Sequence, residues 1–293
     1  MRLTGKSLAI WALITNAFVW GVSWWPLRLM ADAGLHPLWA TGLSFIAVLL
    51  AVTLYQPKIW QTFFLQKSSS KGLWLLALAS GFTNVGFNWA VTVGDVVRVV
   101  LLFYLMPAWA VLLARWLLKE RISLQGLARL ALAVAGVLLV LKKPDSSWPI
   151  PNSLADWLAL GGGFTFALTN TLILKLDKSS DTERLFAMFA GGAMAALSVA
   201  LLGAYTATVT GLPAFSWMLA LAALGLGAFF LLGNLAMQYG ASRLQSSTTS
   251  LVMLTEIVFA SLSAVWLGAA VLEARVLWGA LLIFSAAIWA ALA

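Results

Sequence analysis

An all-α integral membrane protein, with ten transmembrane helices arranged as two inverted five-helix repeats, is the fold class this sequence predicts. Three features carry the prediction. Apolar residues fall in runs of about 20, long enough to cross ~30 Å of hydrocarbon. Lys and Arg concentrate on alternate connections. A faint internal copy relates the two halves of the chain.

Composition sets the class. Of 293 residues, 62% are hydrophobic and 10% charged, and the mean hydropathy is +0.95. Such a chain cannot supply a soluble domain with a polar coat. Backbone groups in lipid must be satisfied internally, so long apolar runs mean helices. The net charge of +8 comes from basic residues scattered between apolar runs, which reads as a topology signal rather than a nucleic-acid surface. There is no Cys, so disulfides and thiolate chemistry are excluded. His36 is the single histidine, so no metal cluster is expected, and no cofactor.

Taken in order, the first run (about 8–31) follows Arg2 and Lys6 and resembles the start of a signal peptide. It is too long and has no small-residue cleavage site, so it reads as a retained helix. On it Asn16, Trp20, Ser23 and Trp24 stand at i, i+4, i+7 and i+8, which is one helical face. The second run (34–55) stops before Pro57, and the Ser68-Ser69-Ser70 cluster precedes the third (72–94). There Asn84 and Asn88 lie one turn apart. The fourth run (97–118) contains Pro107, which removes a backbone hydrogen bond and kinks the helix as a hinge or a static bend. The fifth covers 123–141. The polar gap from Lys142 to Asn152 is the linker, dividing the chain into repeats 1–146 and 147–293.

In the second half, the sixth run (153–175) repeats a polar stripe with Thr165 and Thr169, beside Phe166 and Asn170. The seventh (184–204) holds Gly191-Gly192, and the eighth (214–237) carries Asn234, with Gln238 just beyond. The ninth (244–267) presents Thr248, Val252, Thr255, Glu256, Phe259 and Ser263 on one stripe, and the tenth is 275–292. With the N-terminus inside, 13 of the 18 Lys and Arg lie on the cytoplasmic side. Arg28, Arg98, Lys142, Lys143 and Arg275 lie outside. That asymmetry satisfies the positive-inside rule, with both termini cytoplasmic.

The internal copy sets Phe87–Gly94 against Gly233–Gly240, matching Asn88 with Asn234, Ala90 with Ala236 and Gly94 with Gly240. The same shift of 146 pairs Trp20-Gly21 with Phe166-Ala167 and Ser23-Trp24 with Thr169-Asn170. Further on, Pro107 faces Glu256 at a shift of 149, and Glu120 and Gly126 match Glu273 and Gly279 at 153. Five helices per half is an odd number, so the second half enters the membrane upside down, as in inverted-repeat carriers.

Trp20-Gly21-Val22-Ser23, Pro107, and Glu120 followed by Gly126 resemble the ten-helix drug/metabolite transporter superfamily, EamA type. Within it the chain is most similar to bacterial aromatic amino acid exporters. It departs in lacking the usual proline of the ninth helix, where it has Glu256, and in placing Ala269 where a second-repeat Glu belongs. The resemblance implies a secondary transporter in the bacterial inner membrane. It would export small organic solutes, aromatic and other bulky amino acids foremost, by alternating access around a central cavity. Other metabolites or drugs are the alternative cargo, and oligomeric state is left open.

Substrate sites of inverted-repeat carriers lie at the repeat interface near mid-membrane. The candidate lining is Trp20, Ser23, Trp24, Asn84, Asn88, Trp109, Thr169, Asn170, Asn234, Gln238 and Glu256, with Pro107 as hinge. Each amide and hydroxyl has a second reading as interhelical glue, worth ~0.6 kcal/mol on average. Trp60, Trp74, Trp148, Trp157 and Trp217 sit at run ends, as interfacial belts do, while Trp89 lies deeper. A mid-membrane carboxylate such as Glu256 is costly and a functional candidate by default. Three roles stay open for it: partner of a substrate ammonium, proton-coupling group, or structural hydrogen-bonding group. A lipid- or sugar-modifying enzyme would need a clustered nucleophile, acid/base pair or metal site. Asp95 and Arg98 come nearest and read as a loop ion pair. No charge ring or filter sequence suggests a channel.

Overall fold

A computed structural model describes residues 5–65, 70–117, 124–142, 150–176, 179–241, 243–244, 252–253, 255–271 and 273–292. Arg2, Lys119, Glu120, Arg121, Trp148 and Thr248, as well as most of the linker, lie outside the described residues. Among those described, every regular element is a helix.

α1 (Gly5–Val22) and α2 (Trp24–Asp32) together occupy the first apolar run. They meet at Ser23 because Pro26 has no N–H to give the Val22 carbonyl one turn back. The Ser23 N–H turns instead to the Trp20 carbonyl at 3.3 Å. α3 (Pro37–Tyr55) begins with proline at its first position and His36 as N-cap. The neutral imidazole Nδ1 accepts from the Leu38 N–H at 3.2 Å, and partial burial, which lowers the His36 pKa, favours that neutral form. α4 (Ile59–Leu65) is a short helix absent from the expected runs. It folds back because Phe63 is buried against Trp74 and Phe186.

α5 (Ser70–Val93) fills the third run. The fourth run is two pieces, α6 (Val96–Phe103) and α7 (Met106–Leu117), rather than one kinked helix. Pro107 leaves the Phe103 carbonyl without its helical donor, so the ladder stops at Tyr104-Leu105 and restarts from Leu105. α8 (Leu124–Leu141), α9 (Leu154–Lys175), α10 (Asp181–Tyr205), α11 (Trp217–Ala241), α12 (Thr255–Trp266) and α13 (Ala274–Leu292) complete the bundle. Caps explain two starts. Ser153 accepts from the Asp156 N–H, and Ser180 and Glu183 form a capping box. Among the described residues four stretches are long and apolar enough to cross a membrane: α1 with α2, α3, α10, and Trp217–Gly240 of α11. α8, α12 and α13 hold shorter apolar stretches.

Contacts fix helix directions. Gly94 meets Ala155, Gly86 meets Gly162 and Thr83 bonds Thr165, so α5 and α9 are antiparallel. Gly240 meets Ala9 and Leu13 while Gly233 meets Val19, so α11 and α1 are antiparallel too. Trp39 bonds the Thr210 carbonyl and Gly192 meets Phe45, which sets α3 against the direction of α10. Ala77 meets Gly191 and Gly81 meets Ala195, so α5 and α10 run together. α12 runs with α1 through Asn16–Met253, Gly21–Glu256 and Trp24–Ser263. α6 and α7 follow α9 through Arg98–Asp156, Phe103–Phe166 and Trp109–Phe164.

An ion pair closes one end of this bundle, and it is not the expected one. Asp95 N-caps α6 by accepting from the Arg98 backbone N–H. The Arg98 side chain turns to Asp156 on α9, with Nε–Oδ1 at 2.7 Å and Nη2–Oδ2 at 3.0 Å. It also donates to the Val140 carbonyl at the end of α8. A short loop cannot present a fork-shaped guanidinium with two parallel acceptors as a facing helix start can. Nearby, Arg28 of α2 donates to the Val91 and Gly94 carbonyls that end α5. In the last connection Glu273 pairs with Arg275, whose hydrogen bond lowers the Glu273 pKa.

Two stability outcomes follow from this packing. A Cβ on Gly191 would overlap the Ala77 carbonyl, whereas one on Gly161 meets nothing within 4 Å. Gly191→Ala is therefore expected to lose ~1–3 kcal/mol in reversible mixed-micelle unfolding, with Gly161→Ala close to neutral. Asp156→Ala strands Arg98, 13% exposed, and is expected to cost ~3–5 kcal/mol. The double change Arg98→Met with Asp156→Leu should recover much of that loss in the same measurement.

Candidate functional site

The middle of the bundle is an aromatic cluster contributed by seven helices and the α6–α7 break. Trp20 of α1 stacks on Phe230 of α11 with centroids 4.9 Å apart, and meets Phe87 of α5 edge-on at 6.2 Å. Phe87 leads to Phe103 of α6 at 4.8 Å, and Phe103 to Phe166 of α9 at 5.4 Å. On the other side Phe230 meets Phe45 of α3, which meets Phe189 of α10 at 4.8 Å. Such pairs contribute ~0.5–1.5 kcal/mol each beyond burial. Sequence reasoning singled out Trp20 and noted Phe166, but missed Phe45, Phe87, Phe103, Phe189 and Phe230. An apolar ring among apolar neighbours carries no periodic signal of its own.

Several of the expected polar residues border this cluster. Asn88 is buried, and its Nδ2 donates to Thr41 Oγ1 at 3.0 Å, tying α5 to α3. Its Oδ1 has no hydrogen-bond partner among the described residues. The same holds for buried Asn16 Oδ1, Thr169 Oγ1 and Trp109 Nε1. Asn234 lies one turn beyond Phe230 and spends a donor on its carbonyl at 3.0 Å. Asn84 donates to the Ser80 carbonyl at 2.8 Å. Ser23 is buried and donates to its own helix at the Trp20 carbonyl. Gln238 is half-buried one turn past Asn234.

Others stand apart. Trp24 is buried and its Nε1 donates to Ser263 Oγ at 3.0 Å, which makes it a brace between α2 and α12. Trp109 meets Phe164 rather than the main cluster. Asn170 is exposed, since it follows buried Thr169 by a 100° step around α9. Trp89 lies beside His36 and lines a crevice of about 300 Å³ with Leu202, Gly203 and Val209 of the α10 end. Pro107 sits at the head of α7, where the helix is broken.

Glu256 opens α12 and is 6% exposed. It lies where α1 crosses, for a Cβ on Gly21 would come within 2.8 Å of its carbonyl oxygen. Its Oε2 is 2.9 Å from Tyr104 Oη, which is also 2.9 Å from the Met253 carbonyl oxygen. Asn16 Nδ2 donates to Met253 Sδ at 3.2 Å, a weak acceptor. Among the described residues no cation bonds Glu256, so burial is offset only by this hydroxyl. Tyr104 was not among the expected residues. Its position three residues before Pro107 was the available signal, because a proline break frees the preceding turn to face elsewhere.

Residues 7–142 match the model of the EamA-like transporter family. That match supports a membrane transporter of small solutes, and with the apolar helices it indicates a multi-pass membrane protein. A search of curated proteins found no match. Fifteen solved chains match in fold. One is a crystal structure of a protein 19% identical in sequence, with a TM-score of 0.60, covering 98% of this chain and 97% of that one. At that identity the likeness speaks for the fold alone.

Proposed function

We propose that the transporter character indicated by residues 7–142 extends to the whole chain. On this reading it crosses the bacterial inner membrane ten times, with both termini cytoplasmic. It exports aromatic and other bulky amino acids by alternating access, and catalyses no covalent step. The observation that carries the proposal is the aromatic cluster around Trp20, together with buried polar atoms of Asn16 and Asn88, on the helices that carry Trp20 and Phe87, that lack a partner among the described residues. An aromatic amino acid offers a flat ring for stacking and charged ends for such polar groups. A sugar phosphate or a nucleotide would need fixed cations, and Arg28 and Arg98 are both engaged at one end of the bundle.

The repeat is supported by paired contacts. Gly94 against Ala155 and Gly240 against Ala9 are two copies of one contact, each member 146 positions from its counterpart. Corresponding elements also touch one another: Phe45 with Gly192, Tyr104 with Met253, and Gly136 with Gly279. A residue meets its own counterpart only near a two-fold axis. α3 and α10 run antiparallel, so that axis lies across the helices, as an inverted repeat requires. The spacing of Gly136 and Gly279 is 143, so the last pair of helices is in a different register from the shift of 153 read from Glu120. In this reading α6 with α7 corresponds to α12, and the break at Tyr104-Leu105 is where the hinge belongs.

The test is uptake of an amino-acid panel into proteoliposomes. Trp20→Ala removes the stacking on Phe230 and the edge-on packing on Phe87. It is expected to weaken apparent affinity for L-tryptophan and L-phenylalanine about two- to tenfold, the worth of one ring pairing between Trp20 and the substrate. Asn88→Ala and Asn234→Ala are expected to lower transport at unchanged membrane abundance. Normal transport in all three variants would move the site elsewhere and leave Asn88 as a bond between α5 and α3 and Asn234 as a bond within α11.

A further inference from the structure

Hydrogen counting around Tyr104 assigns a proton. Tyr104 Oη lies 2.9 Å from Glu256 Oε2 and 2.9 Å from the Met253 carbonyl oxygen. A phenol has one hydrogen, a carbonyl has none, and an ionised carboxylate has none. With Glu256 ionised, the single hydrogen would be split between two acceptors, or one close contact would set lone pair against lone pair. Either way a buried carboxylate would be left with at most one shared donor and no bonded cation, which is costly. A proton on Oε2 resolves both contacts. Glu256 then donates to Tyr104 and Tyr104 donates to Met253, so each of the two close contacts carries one hydrogen.

We propose that Glu256 is a proton-binding site, occupied in this conformation and held by Tyr104 and the Met253 carbonyl, and that its proton is the one coupled to transport. The surroundings agree. α1 carries one charged side chain, Lys6, ten residues before Asn16, or ~15 Å along the helix. α6 carries Arg98, nearly two turns from Tyr104 and bonded to Asp156. α2, braced to α12 through Trp24, carries Arg28 and Asp32, and Arg28 is bonded to the end of α5. Tyr104 is thus the one titratable side chain that bonds Glu256 among the described residues.

The geometry also supplies the release. Tyr104 caps the end of α6 at the break before α7, its N–H still bonded to the Val100 carbonyl, while Glu256 lies in the first turn of α12. A change of angle at the break withdraws the hydroxyl from the carboxyl. Once wetted, the carboxyl ionises and its proton passes to water. Protonation stands on the hydrogen count alone. The coupling role rests on the carrier reading above, and the experiment separates the two.

Infrared spectra of the full-length protein in lipid are recorded at neutral pH. The expected result is the carbonyl stretch of a protonated carboxylic acid, moved by ¹³C labelling of glutamate, absent from Glu256→Gln and displaced in Tyr104→Phe. The labelled wild type answers the question even where a variant misfolds. A spectrum without that band overturns the proton site. In the second arm, proteoliposomes are assayed for L-tryptophan uptake with and without an imposed pH gradient. Wild type should respond to the gradient, and Glu256→Gln should lose the response. Uptake indifferent to the gradient, with the band present, overturns the coupling role and upholds the carrier reading. The band without uptake of any amino acid in the panel upholds the proton site and counts against the carrier reading.

Discussion

Close approach of helix backbones at glycine is the constraint on which the rest of this structure depends. α5 lies between α9 and α10, and it can do so only because Gly81, Gly86 and Gly191 present no side chain at the crossings. In lipid no hydrophobic force draws helices together, so packing at such points must supply the association. Gly136 and Gly279 do the same for α8 and α13, each facing the other's carbonyl. With backbones so near, the larger side chains are displaced from the crossings. They gather in the middle of the bundle, where Trp20, Phe87, Phe103 and Phe230 meet.

Two prolines determine where the ladder opens. Pro26 interrupts the first apolar run at Ser23, and Pro107 interrupts the fourth at Tyr104-Leu105. Each break lies beside α12: Trp24, just past the first, bonds Ser263, and Tyr104, at the second, bonds Glu256. α12 is therefore gripped from two interrupted helices. At one end of the bundle the Arg98–Asp156 pair holds α6 to α9 and reaches the end of α8. A buried fork of this kind is costly to half-dismantle, so the end it closes is rigid while the breaks remain adaptable.

Periodicity, composition and charge determined the helices. Apolar runs long enough to span hydrocarbon can satisfy their backbone only as helices, so their existence was legible from one sequence. The sequence match of Gly94 with Gly240 has a counterpart in the packing, where Gly94 meets Ala155 and Gly240 meets Ala9. The ion pair was misread, since Asp95 and Arg98 are neighbours in sequence but Asp156 is the partner in space. Of the polar candidates, Asn88, Asn234 and Glu256 were singled out by residue type, because a polar group in an apolar run is conspicuous. Which of their atoms are spent on other helices was not legible. That depends on rotation about each helix axis, as the contrast of buried Thr169 with exposed Asn170 shows.

Tertiary structure alone decided what converges. The aromatic cluster draws on residues up to 210 positions apart, from Trp20 to Phe230, and nothing in a uniformly apolar background marks which rings will meet. Tyr104 and Glu256, 152 positions apart, are joined because α6 ends at Tyr104, before the proline break, just where α12 passes. Sequence by itself determined the helices and their order, since these follow from local hydrogen bonding and from the cost of polar groups in lipid. The fold decided which buried atoms face one another, because that is set by helix rotation and crossing depth, which the closest backbone contacts fix.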